Sequence, residues 1–487
     1  MKRLIQIVLI SAIIIPSCGG GGNSGLKDVD PKVDSLLRIM TLDEKIGQMV
    51  LFTSDWDVTG PTIKEGYLDD IRSGRCGNIF NAYTTDYIRE IQRVAVEESR
   101  LGIPLLFGYD VVHGHKTIFP VPLAESCSWD LDLMRRTASA SAAEAAASGL
   151  NWTFAPMVDI SVDPRWGRVC EGAGEDPFLA SLIADARVKG FQGDDLSDPL
   201  TVLACVKHFA GYAASEGGRD YNSTWIPEIQ LRETYLPPFQ AAIDAGSLSI
   251  MCAFNDLNGV PASANKHLNV DILRHEWHFD GVLVSDWASL QNMNNQGNSA
   301  NLKEATQLSV EAHMDMDMES QGYPRHLKEL VEEGSVSEQL IDDCVRNILR
   351  MKFRLGLFDN PYCYNENPEY FTPEALAAAQ KAAEESAVLL KNNGILPIAN
   401  RQSPITILVC GPMANAPHEQ NGTWCFDKDD AMTITPMMAF RELANEGKIR
   451  LIEQKGEHWS REFNKENVAT LARLAKQADV VLYFAGE

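Results

Sequence analysis

The sequence predicts an α/β protein with a (β/α)₈ TIM-like barrel followed by a second α/β layer. Between about residues 31 and 360, short apolar runs alternate with amphipathic, alanine-rich stretches, a pattern typical of parallel strands joined by helices. About eight such runs occur, and eight is the number of strands that closes this kind of barrel. The runs are QMVLFT, GNIFN, PLLFGYD, NWTFAP, TVLACVKHF, LSIMCAFN, GVLVSDW and EAHMDMDM.

The chain begins with a segment that has the features of an export signal. A basic start precedes an apolar stretch over residues 4–15, which is too short to span a bilayer. Ser17 followed by Cys18 resembles the lipobox of bacterial lipoproteins, so we expect residues 1–17 to be removed and the Cys18 sulfur to carry a lipid. The glycine-rich residues 18–30 would then form a flexible tether. A plain secretory signal is the alternative, and with either one the mature protein leaves the cytoplasm. With the lipid anchor we expect a lipoprotein of the bacterial cell envelope, in the periplasm or on the outer membrane.

Polar residues stand at the ends of four of the apolar runs. Asp110 ends PLLFGYD, Lys207 and His208 lie near the end of TVLACVKHF, Asn255 ends LSIMCAFN, and Asp286 follows the apolar part of GVLVSDW. In a (β/α)₈ barrel the active site forms at the carboxyl ends of the strands. We therefore expect these side chains, although far apart in sequence, to converge on one pocket. For any single residue, a helix cap or a solvated strand end is the alternative.

A second region follows a segment rich in Pro, Asn and aromatic residues. We interpret residues 361–380 as a linker and residues 381–487 as a partial α/β domain, with strands ITILVCG, IRLIEQKG and DVVLYFAGE. Helical patterns separate these strands, which predicts that they run parallel. The chain stops directly after the third strand, and a buried strand in that position leaves hydrogen bonds and apolar surface unmet. We therefore expect this domain to be truncated at its C-terminus.

Composition and charge argue against several classes of binding partner. The net charge of −24 argues against nucleic acid, because the phosphates would be repelled. No segment after residue 30 is long and apolar enough for a membrane helix, so we expect membrane association only through the lipid anchor. His113 and His115 lack a third ligand and the cysteines lack metal-type spacing, so neither a metal nor another cofactor is predicted. The oligomeric state and any disulfide pairing stay open.

Longer motifs run through the whole chain in a fixed order. They are MTLDEKIGQM, GYDVVHG, DPRWGRVCEGAGEDPFL, VKHFAGYAASEGGRDYN, LNGVPAS, GVLVSDW, MKFRLGLFDNP and ESAVLLKNNGILPI. With these motifs the chain resembles glycoside hydrolase family 3, in particular the bacterial periplasmic β-glucosidases, from about residue 30 to residue 487. The resemblance implies a (β/α)₈ barrel followed by an α/β sandwich. It also implies a retaining, exo-acting β-glucosidase that removes terminal β-D-glucosyl residues from oligosaccharides or glucosides through a covalent glycosyl-enzyme intermediate.

The resemblance further implies roles for individual residues. Asp286, in the S-D-W motif, corresponds to the nucleophile that attacks the anomeric carbon. The acid/base group of the family is usually a glutamate a few residues beyond a strand that ends in Gly-Glu. Glu487 matches that strand end, so we expect the acid/base group beyond it. The residues implied to bind the sugar are Asp110, Arg168, Lys207, His208, Met251 and Trp287, with Arg219 as a further contact.

These residue types suit the hydrolysis of a glycoside with retention of the anomeric configuration. Such a reaction needs two carboxyl groups about 5–5.5 Å apart, one to attack and one to protonate the leaving oxygen. Lys207 and Arg168 would favour the ionised form of Asp286. The Asp110 carboxylate can accept hydrogen bonds from two sugar hydroxyls, and Trp287 offers a flat apolar face to a pyranose ring.

Parts of this interpretation have alternatives. Arg168 could pair with Glu171 or Glu175 and only brace a loop. Many relatives carry a tyrosine where MCAFN has Phe254, so the hydrogen bonding near Asp286 differs from theirs. A β-xylosidase of the same family, or a sugar-binding lipoprotein that lacks its acid/base group, are the alternative functions. The run KHFAGYAASEGGRDYN departs from the K-H-F-P-G-H-G pattern of the family's β-N-acetylglucosaminidases, so that activity is not expected.

Overall fold

The computed structural model describes residues 29–57, 60–362, 369–398, 404–454 and 465–486. Four of the expectations above lie wholly or almost wholly outside those residues: the signal peptide, the lipidated Cys18, the glycine-rich tether and the strand end at Glu487. Within the described ranges, no helix is both long enough and apolar enough to cross a membrane.

Eight parallel strands form a barrel in chain order. From the first strand to the seventh, each pairs with the next, and the eighth pairs with the first through Val50 and Asp317. One parallel bridge, from Val284 to Met316, joins the seventh strand to the residues before the eighth. Each of the eight apolar runs contains one of these strands, which confirms the prediction of a (β/α)₈ barrel. The strands are β1 (Val50–Thr53), β2 (Asn78–Phe80), β3 (Leu106–Tyr109), β4 (Trp152–Thr153), β5 (Leu203–Phe209), β6 (Ser249–Cys252), β7 (Val282–Val284) and β8 (Asp317–Met318).

Helices fill the connections between successive strands and form the outer layer of the barrel. Two helices, Asp30–Leu37 and Leu42–Gln48, precede β1, and Gly322–Glu332 and Glu338–Arg354 follow β8. The principal connecting helices are Tyr67–Arg72, Thr85–Arg93, Leu131–Ala147, Pro177–Gln192, Pro237–Asp244, the π-helical His267–Glu276 and Leu302–Glu311.

One connecting helix shows how the local sequence sets its limits. Leu131–Ala147 is rich in alanine, the residue with the highest helix propensity. The Asp130 side chain accepts a hydrogen bond from the Leu133 amide and so satisfies one of the free N–H groups at the start of the helix. Gly149 follows the helix with a φ of +91°, a left-handed conformation that glycine adopts without strain and that stops the helix.

The barrel strands and the surrounding helices share one continuous apolar core. Val206, Ile250 and Leu283 are fully buried, so both faces of these central strands are removed from water. Gly108 in β3 permits a close approach of Phe154, because a Cβ atom at position 108 would lie 2.6 Å from the Phe154 Cζ. This packing fixes the strand ends that carry the candidate site.

A smaller parallel sheet follows the barrel. Strand β9 (Ile405–Cys410) lies between β10 (Ile449–Glu453) and β11 (Val480–Tyr483), and the three run parallel, as the sequence predicts. Helices Pro436–Asn445 and Lys465–Ala475 lie in the connections. The core of this sheet is small and contains Ile405, Ile407, Val409, Ala414, Met437 and Val480.

A further helix crosses the boundary that we placed between the linker and the second domain. Pro373–Glu385 begins within residues 361–380 and ends within residues 381–487. Its alanine side chains allow close contact with helix Leu131–Ala147, so it belongs to the outer layer of the barrel. The boundaries at residues 360 and 380 stay predictions. The contact consists of Phe119, Leu133, Ala378 and Ala382.

Candidate active site

A cavity of about 520 Å³ opens at the carboxyl ends of the barrel strands. The structure brings together seven of the eight sugar-site side chains singled out from the sequence. Arg219, the eighth, is exposed on the loop after β5 and does not line the cavity, whereas its neighbour Asp220 does. The seven are Asp110, Arg168, Lys207, His208, Met251, Asp286 and Trp287.

Asp286 follows β7 and is buried, with 7% of its surface exposed. Its Oδ1 accepts a hydrogen bond of 2.7 Å from the backbone N–H of Trp287, which orients the carboxylate. Its Oδ2 has no hydrogen-bond partner in the described part of the chain. The His208 Nε2 lies 3.7 Å from this oxygen, beyond hydrogen-bond distance. One carboxylate oxygen is therefore available to a ligand in the cavity.

Two opposing influences set the pKa of Asp286. Burial raises the pKa, and the positive charges of Arg168 and Lys207 lower it. The net result is a pKa raised to about 7. The sequence-based expectation for the two cations is correct in direction, but burial outweighs them. The carboxyl group therefore changes its charge near neutral pH.

Lys207 and Asp110 form a partly buried ion pair beside the cavity. The Lys207 Nζ donates a hydrogen bond of 2.9 Å to the Asp110 Oδ1. The lysine side chain is 2% exposed, while that of Asp110 is 16% exposed and lines the cavity. The lysine therefore orients a carboxylate that is still accessible to a ligand.

Arg168 is held by hydrogen bonds to Glu171 and to His208. Its Nε and Nη2 donate to the Glu171 carboxylate at 2.7 and 2.9 Å, and Nη2 also donates to the His208 Nε2 at 2.9 Å. Although burial acts in the opposite direction, Arg168 lowers the pKa of Glu171. The pairing with Glu171 that we considered as an alternative is present, and Arg168 lines the cavity at the same time. Glu175 is exposed.

The second domain contributes part of the cavity wall. Thr423, Trp424 and Phe426 line the cavity together with the barrel residues. The Trp424 ring centroid lies 4.8 Å from the Lys207 Nζ and 5.8 Å from the guanidinium carbon of Arg168. Both distances fall within the range of cation–π attraction. An aromatic side chain of the second domain therefore covers the two cations nearest to Asp286.

The segment over residues 423–427 is fixed to the barrel by buried polar contacts. The Asp427 Oδ2 accepts a hydrogen bond of 2.7 Å from the Tyr109 hydroxyl, and the Lys116 Nζ lies 3.4 Å from its Oδ1. The His113 Nε2 lies 2.6 Å from the Thr423 carbonyl oxygen. These contacts determine where Trp424 lies.

The described residues contain no group of three or more His, Cys, Asp or Glu side chains that could hold a metal ion. The His115 Nε2 lies 2.8 Å from the Ser148 hydroxyl. Burial lowers the pKa of His115 to about 4, so its ring is neutral near pH 7. His113 and His115 contribute to packing around the second-domain segment.

Sequence reasoning missed several residues of the site. Asp159 stands alone among the apolar residues of MVDI, which is a signal for a buried carboxylate. Trp424 and Phe426 flank the buried Cys425, so their alternation places both on one side of the chain. Phe254 lines the cavity without a hydroxyl, as expected, but it packs against the Tyr221 ring at 4.7 Å, and Tyr221 also lines the cavity.

This arrangement suits covalent chemistry on a polyhydroxylated ligand. A buried carboxylate with one unpartnered oxygen can act as a nucleophile. Asp110 offers acceptors and Arg168 and Lys207 offer donors, which together match the hydroxyl groups of a sugar. Trp287 is 46% exposed and packs edge-on against Phe80, with 5.5 Å between the ring centroids.

Comparison with known proteins identifies the family of the chain. The family model described as "Glycosyl hydrolase family 3 N terminal domain" matches residues 41–351, and the one described as "Glycosyl hydrolase family 3 C-terminal domain" matches residues 387–487. A periplasmic beta-glucosidase of Salmonella typhimurium is 37% identical over 486 residues, covering 94% of this chain and 62% of that protein. A putative beta-xylosidase of Formosa agariphila is 30% identical, with the same two shares covered.

Solved structures of a beta-glucosidase from Listeria innocua have a similar fold. A variant of that enzyme in complex with laminaribiose has a TM-score of 0.86 and 38% identity, and the match covers 94% of this chain and 64% of the other. A complex with glucose has a TM-score of 0.85 and 37% identity over the same shares. The chain thus spans less than two thirds of the length of these relatives. Since the two family models match both the barrel and the second domain, the chain belongs to glycosyl hydrolase family 3.

Proposed function

We propose that this protein is a retaining, exo-acting β-glucosidase that removes terminal β-D-glucosyl residues from oligosaccharides or glucosides. The observation that carries the proposal is the Asp286 carboxylate, buried at the end of β7 with an Oδ2 that lacks a partner in the described ranges. Membership of glycosyl hydrolase family 3 and the similarity to beta-glucosidases of Salmonella typhimurium and Listeria innocua support the substrate class.

The proposed reaction has two displacement steps. In the first, the Asp286 Oδ2 attacks the anomeric carbon, and the bond from that carbon to the aglycone oxygen breaks. In the second, a water molecule attacks the same carbon and the ester bond to Asp286 breaks, which restores the original anomeric configuration. The water loses one proton in this step and the departed aglycone oxygen gains one, so the protons balance. Attack requires the ionised form of Asp286, and the nearby charges of Arg168 and Lys207 stabilise that form.

Binding of the sugar uses the polar groups around Asp286. Asp110 can accept hydrogen bonds from adjacent hydroxyls while Lys207 holds one of its oxygens. Arg168 and Lys207 can donate to further hydroxyls, and the exposed face of Trp287 can pack against the C–H face of the ring. These contacts would place the anomeric carbon near the Asp286 Oδ2, which is the main requirement for the first step.

Neither Asp110 nor Glu171 is assigned as the proton donor for the leaving group. Asp110 accepts a hydrogen bond from Lys207, and Glu171 is held by two hydrogen bonds from Arg168. A neighbouring cation favours the ionised form of a carboxyl group, which disfavours proton donation. A test of the nucleophile should therefore use a leaving group that needs no proton.

A dinitrophenyl 2-fluoro-glucoside meets this requirement. Its leaving group is stable without protonation, so the first step can proceed with Asp286 alone. We expect a burst of dinitrophenol and a covalent label on the peptide that contains Asp286. The Asp286→Ala variant should give neither, whereas Asp163→Asn, on an exposed ion pair, should behave like the wild type.

The outcomes of this experiment are distinct. A label on another residue, or a burst that persists in Asp286→Ala, would overturn the proposed role. Glucose binding with no burst from the wild type would identify a sugar-binding protein instead of a glycosidase. A folded Asp286→Ala variant that retains more than a few percent of the wild-type turnover rate would also overturn the role of Asp286 as the nucleophile.

A β-xylosidase is the second candidate, and the 30% identity to the putative beta-xylosidase of Formosa agariphila supports it. Glucose and xylose differ only in the hydroxymethyl group on the ring, so the polar contacts described above serve both sugars. The ratio of kcat/KM for a dinitrophenyl glucoside and the corresponding xyloside decides between them. We expect the glucoside to be preferred, and a preference for the xyloside would transfer the proposal to that activity.

We also propose a location in the bacterial cell envelope, with a lipid anchor on Cys18. The Ser17-Cys18 pair after an apolar segment supports the anchor, and the periplasmic beta-glucosidase of Salmonella typhimurium supports the location. Labelling of cells with radioactive palmitate should mark the wild-type protein and not Cys18→Ser. An unlabelled wild type would contradict the anchor.

A further inference from the structure

A buried carboxylate that the proposed reaction does not use lies behind the candidate active site. Asp159, on the segment after β4, is 2% exposed. Its Oδ2 accepts hydrogen bonds from the His208 Nδ1 at 2.7 Å and from the His208 backbone N–H at 3.0 Å. On the other side of the ring, Nε2 lies 2.9 Å from the Arg168 Nη2 and 3.7 Å from the Asp286 Oδ2. A single imidazole ring therefore separates Asp159 from the nucleophile.

Arg168 and Asp159 together favour one tautomer of His208. A guanidinium group only donates hydrogen bonds, so in the native arrangement Nε2 accepts from the Arg168 Nη2. The proton is then on Nδ1, which donates a hydrogen bond to the Asp159 carboxylate. Burial and the positive charges of Arg168 and Lys207 lower the pKa of His208 well below its ordinary value, which is consistent with a neutral ring.

Neighbouring groups restrict the movement of this ring. The Tyr212 ring packs edge-on against it, with 5.1 Å between the centroids. Glu171 holds the guanidinium group of Arg168 by two hydrogen bonds and so directs Nη2 toward His208. A rotation of the imidazole would therefore lose the contact with Arg168 and the one with Asp159.

The position of the proton matters for the attacking oxygen. In the opposite tautomer, an Nε2–H group would lie 3.7 Å from the Asp286 Oδ2, and a small tilt would form a hydrogen bond. Such a bond would occupy the lone pair that attacks carbon. We propose that Asp159 is a positioning residue that holds His208 in its Nδ1–H form and thereby keeps the Asp286 Oδ2 unbonded. This inference rests on the proposed role of Asp286 as the nucleophile.

Two substitutions at position 159 separate the tautomer from the charge. Asp159→Ala removes the acceptor of Nδ1–H, and a buried donor without a partner is costly. The Nε2–H form then becomes accessible, because the Arg168 Nη2 can give up its contact with His208 and keep its hydrogen bond to Glu171. Asp159→Asn removes the charge but keeps an acceptor, because the His208 backbone N–H draws the amide oxygen to the same place. Asp163→Asn is the matched control, since Asp163 lies on the same segment and pairs with Arg165 at the surface.

Long-range ¹H–¹⁵N spectra of the protein with labelled histidine report the tautomer without any sugar, and His208→Gln identifies the signal. We expect Nδ1–H in the wild type, in Asp159→Asn and in the control, and Nε2–H in Asp159→Ala. The burst rate with a dinitrophenyl glucoside should fall about 10-fold or more in Asp159→Ala, by analogy with the loss of a hydrogen-bond partner of a metal-binding histidine. The acid limb of that rate should also move to lower pH, because the new donor favours the ionised form of Asp286.

An Nε2–H signal in the wild type, or an unchanged Nδ1–H signal in Asp159→Ala, would overturn the proposal. A changed tautomer with an unchanged burst rate would overturn the link to Asp286. If Asp159→Ala does not fold, the spectra of the wild type and Asp159→Asn still test the assignment, and Nε2–H in either one would overturn it. Because the spectra need no substrate, the expected tautomers without any burst from the wild type would support the assignment and overturn the proposed function.

Discussion

The Lys207 ammonium group donates a hydrogen bond of 2.9 Å to the Asp110 Oδ1 and so joins the ends of β5 and β3 across 97 residues of sequence. Both residues stand at the carboxyl ends of strands in one barrel, so strand order and register bring them together. The lysine side chain is almost completely shielded from water. The ion pair therefore contributes to the fold as well as to the candidate site.

Removal of one partner of this ion pair should destabilise the protein strongly. Lys207→Met leaves the Asp110 charge without its buried partner, and such losses cost about 3 kcal/mol of unfolding free energy. The double variant Lys207→Met/Asp110→Asn should recover more than about 1 kcal/mol, because no uncompensated charge remains. Urea denaturation of the two single variants and the double variant measures the coupling. Strictly additive losses would show that the two residues do not stabilise each other.

The pH dependence of the first chemical step should follow the ionisation of Asp286. Its pKa is raised to about 7, and only the ionised form attacks, so kcat/KM for a dinitrophenyl glucoside should fall as pH drops below about 7. The charge of Lys207 lowers this pKa, so Lys207→Met should move the acid limb to higher pH. Lys189→Met, which removes a surface pairing with Asp185, is the control and should leave the limb in place. Identical limbs in both variants would contradict the charge effect.

Neutralisation of Asp286 should stabilise the folded protein above neutral pH. The folded pKa of about 7 lies above the value of about 3.9 for an unfolded aspartate, so the native state retains a proton that the unfolded chain has lost. The unfolding free energy of the wild type therefore decreases as pH rises from about 4 to about 7. Asp286→Asn avoids this loss and should be more stable by on the order of 4 kcal/mol at pH 8, with little difference at pH 4. Asp194→Asn, at a fully exposed side chain, should show no such pH-dependent gain in urea denaturation.

Trp424 should contribute to substrate binding although it comes from the second domain. Its ring lies over the Lys207 ammonium and the Arg168 guanidinium and lines the cavity. The ring lines the cavity and packs on two cations that are proposed to bind the sugar, so Trp424→Ala should lower kcat/KM about 10-fold, mainly through KM, which corresponds to about 1.4 kcal/mol. Trp424→Phe keeps an aromatic face and should lose less. Equal losses in both variants would rule out a role for the ring face.

Asp427 should act through the same segment. Its carboxylate accepts a hydrogen bond from the Tyr109 hydroxyl and fixes residues 423–427 to the barrel. Asp427→Ala should therefore raise KM, as Trp424→Ala does. The double variant should be little worse than the poorer single variant, because both changes remove the same contact. Fully additive losses in a kinetic cycle would show that Asp427 does not position Trp424.

The barrel was predictable because its strands are buried on both faces. Such strands read as short, uninterrupted apolar runs, and the polar residue that ends each run marks the carboxyl edge. That pattern placed Asp110, Lys207, His208, Asn255 and Asp286 in the site, and all of them except Asn255 line the cavity. The prediction for Asn255 is wrong, because its side chain is fully buried and donates a hydrogen bond to the Thr224 hydroxyl instead. The proposed roles of the other four come from the family resemblance and stay predictions.

Two parts of the site could not be obtained from periodicity. Asp159 lies beyond the end of β4, in a segment held along β5 by the bridge between Met157 and Lys207. Its contact with His208 depends on that extended path and not on a strand end. Trp424 reaches the cavity through the packing of one domain against another, and no local pattern encodes such packing.

The cavity has two structural sources, because barrel residues and residues 423, 424 and 426 of the second domain line it together. Substitutions at these second-domain positions would change the cavity wall, and at Trp424 they would also change the surroundings of Lys207 and Arg168. Two separate stretches of the chain can therefore vary the shape of one cavity, while the barrel strand before Asp286 stays the same.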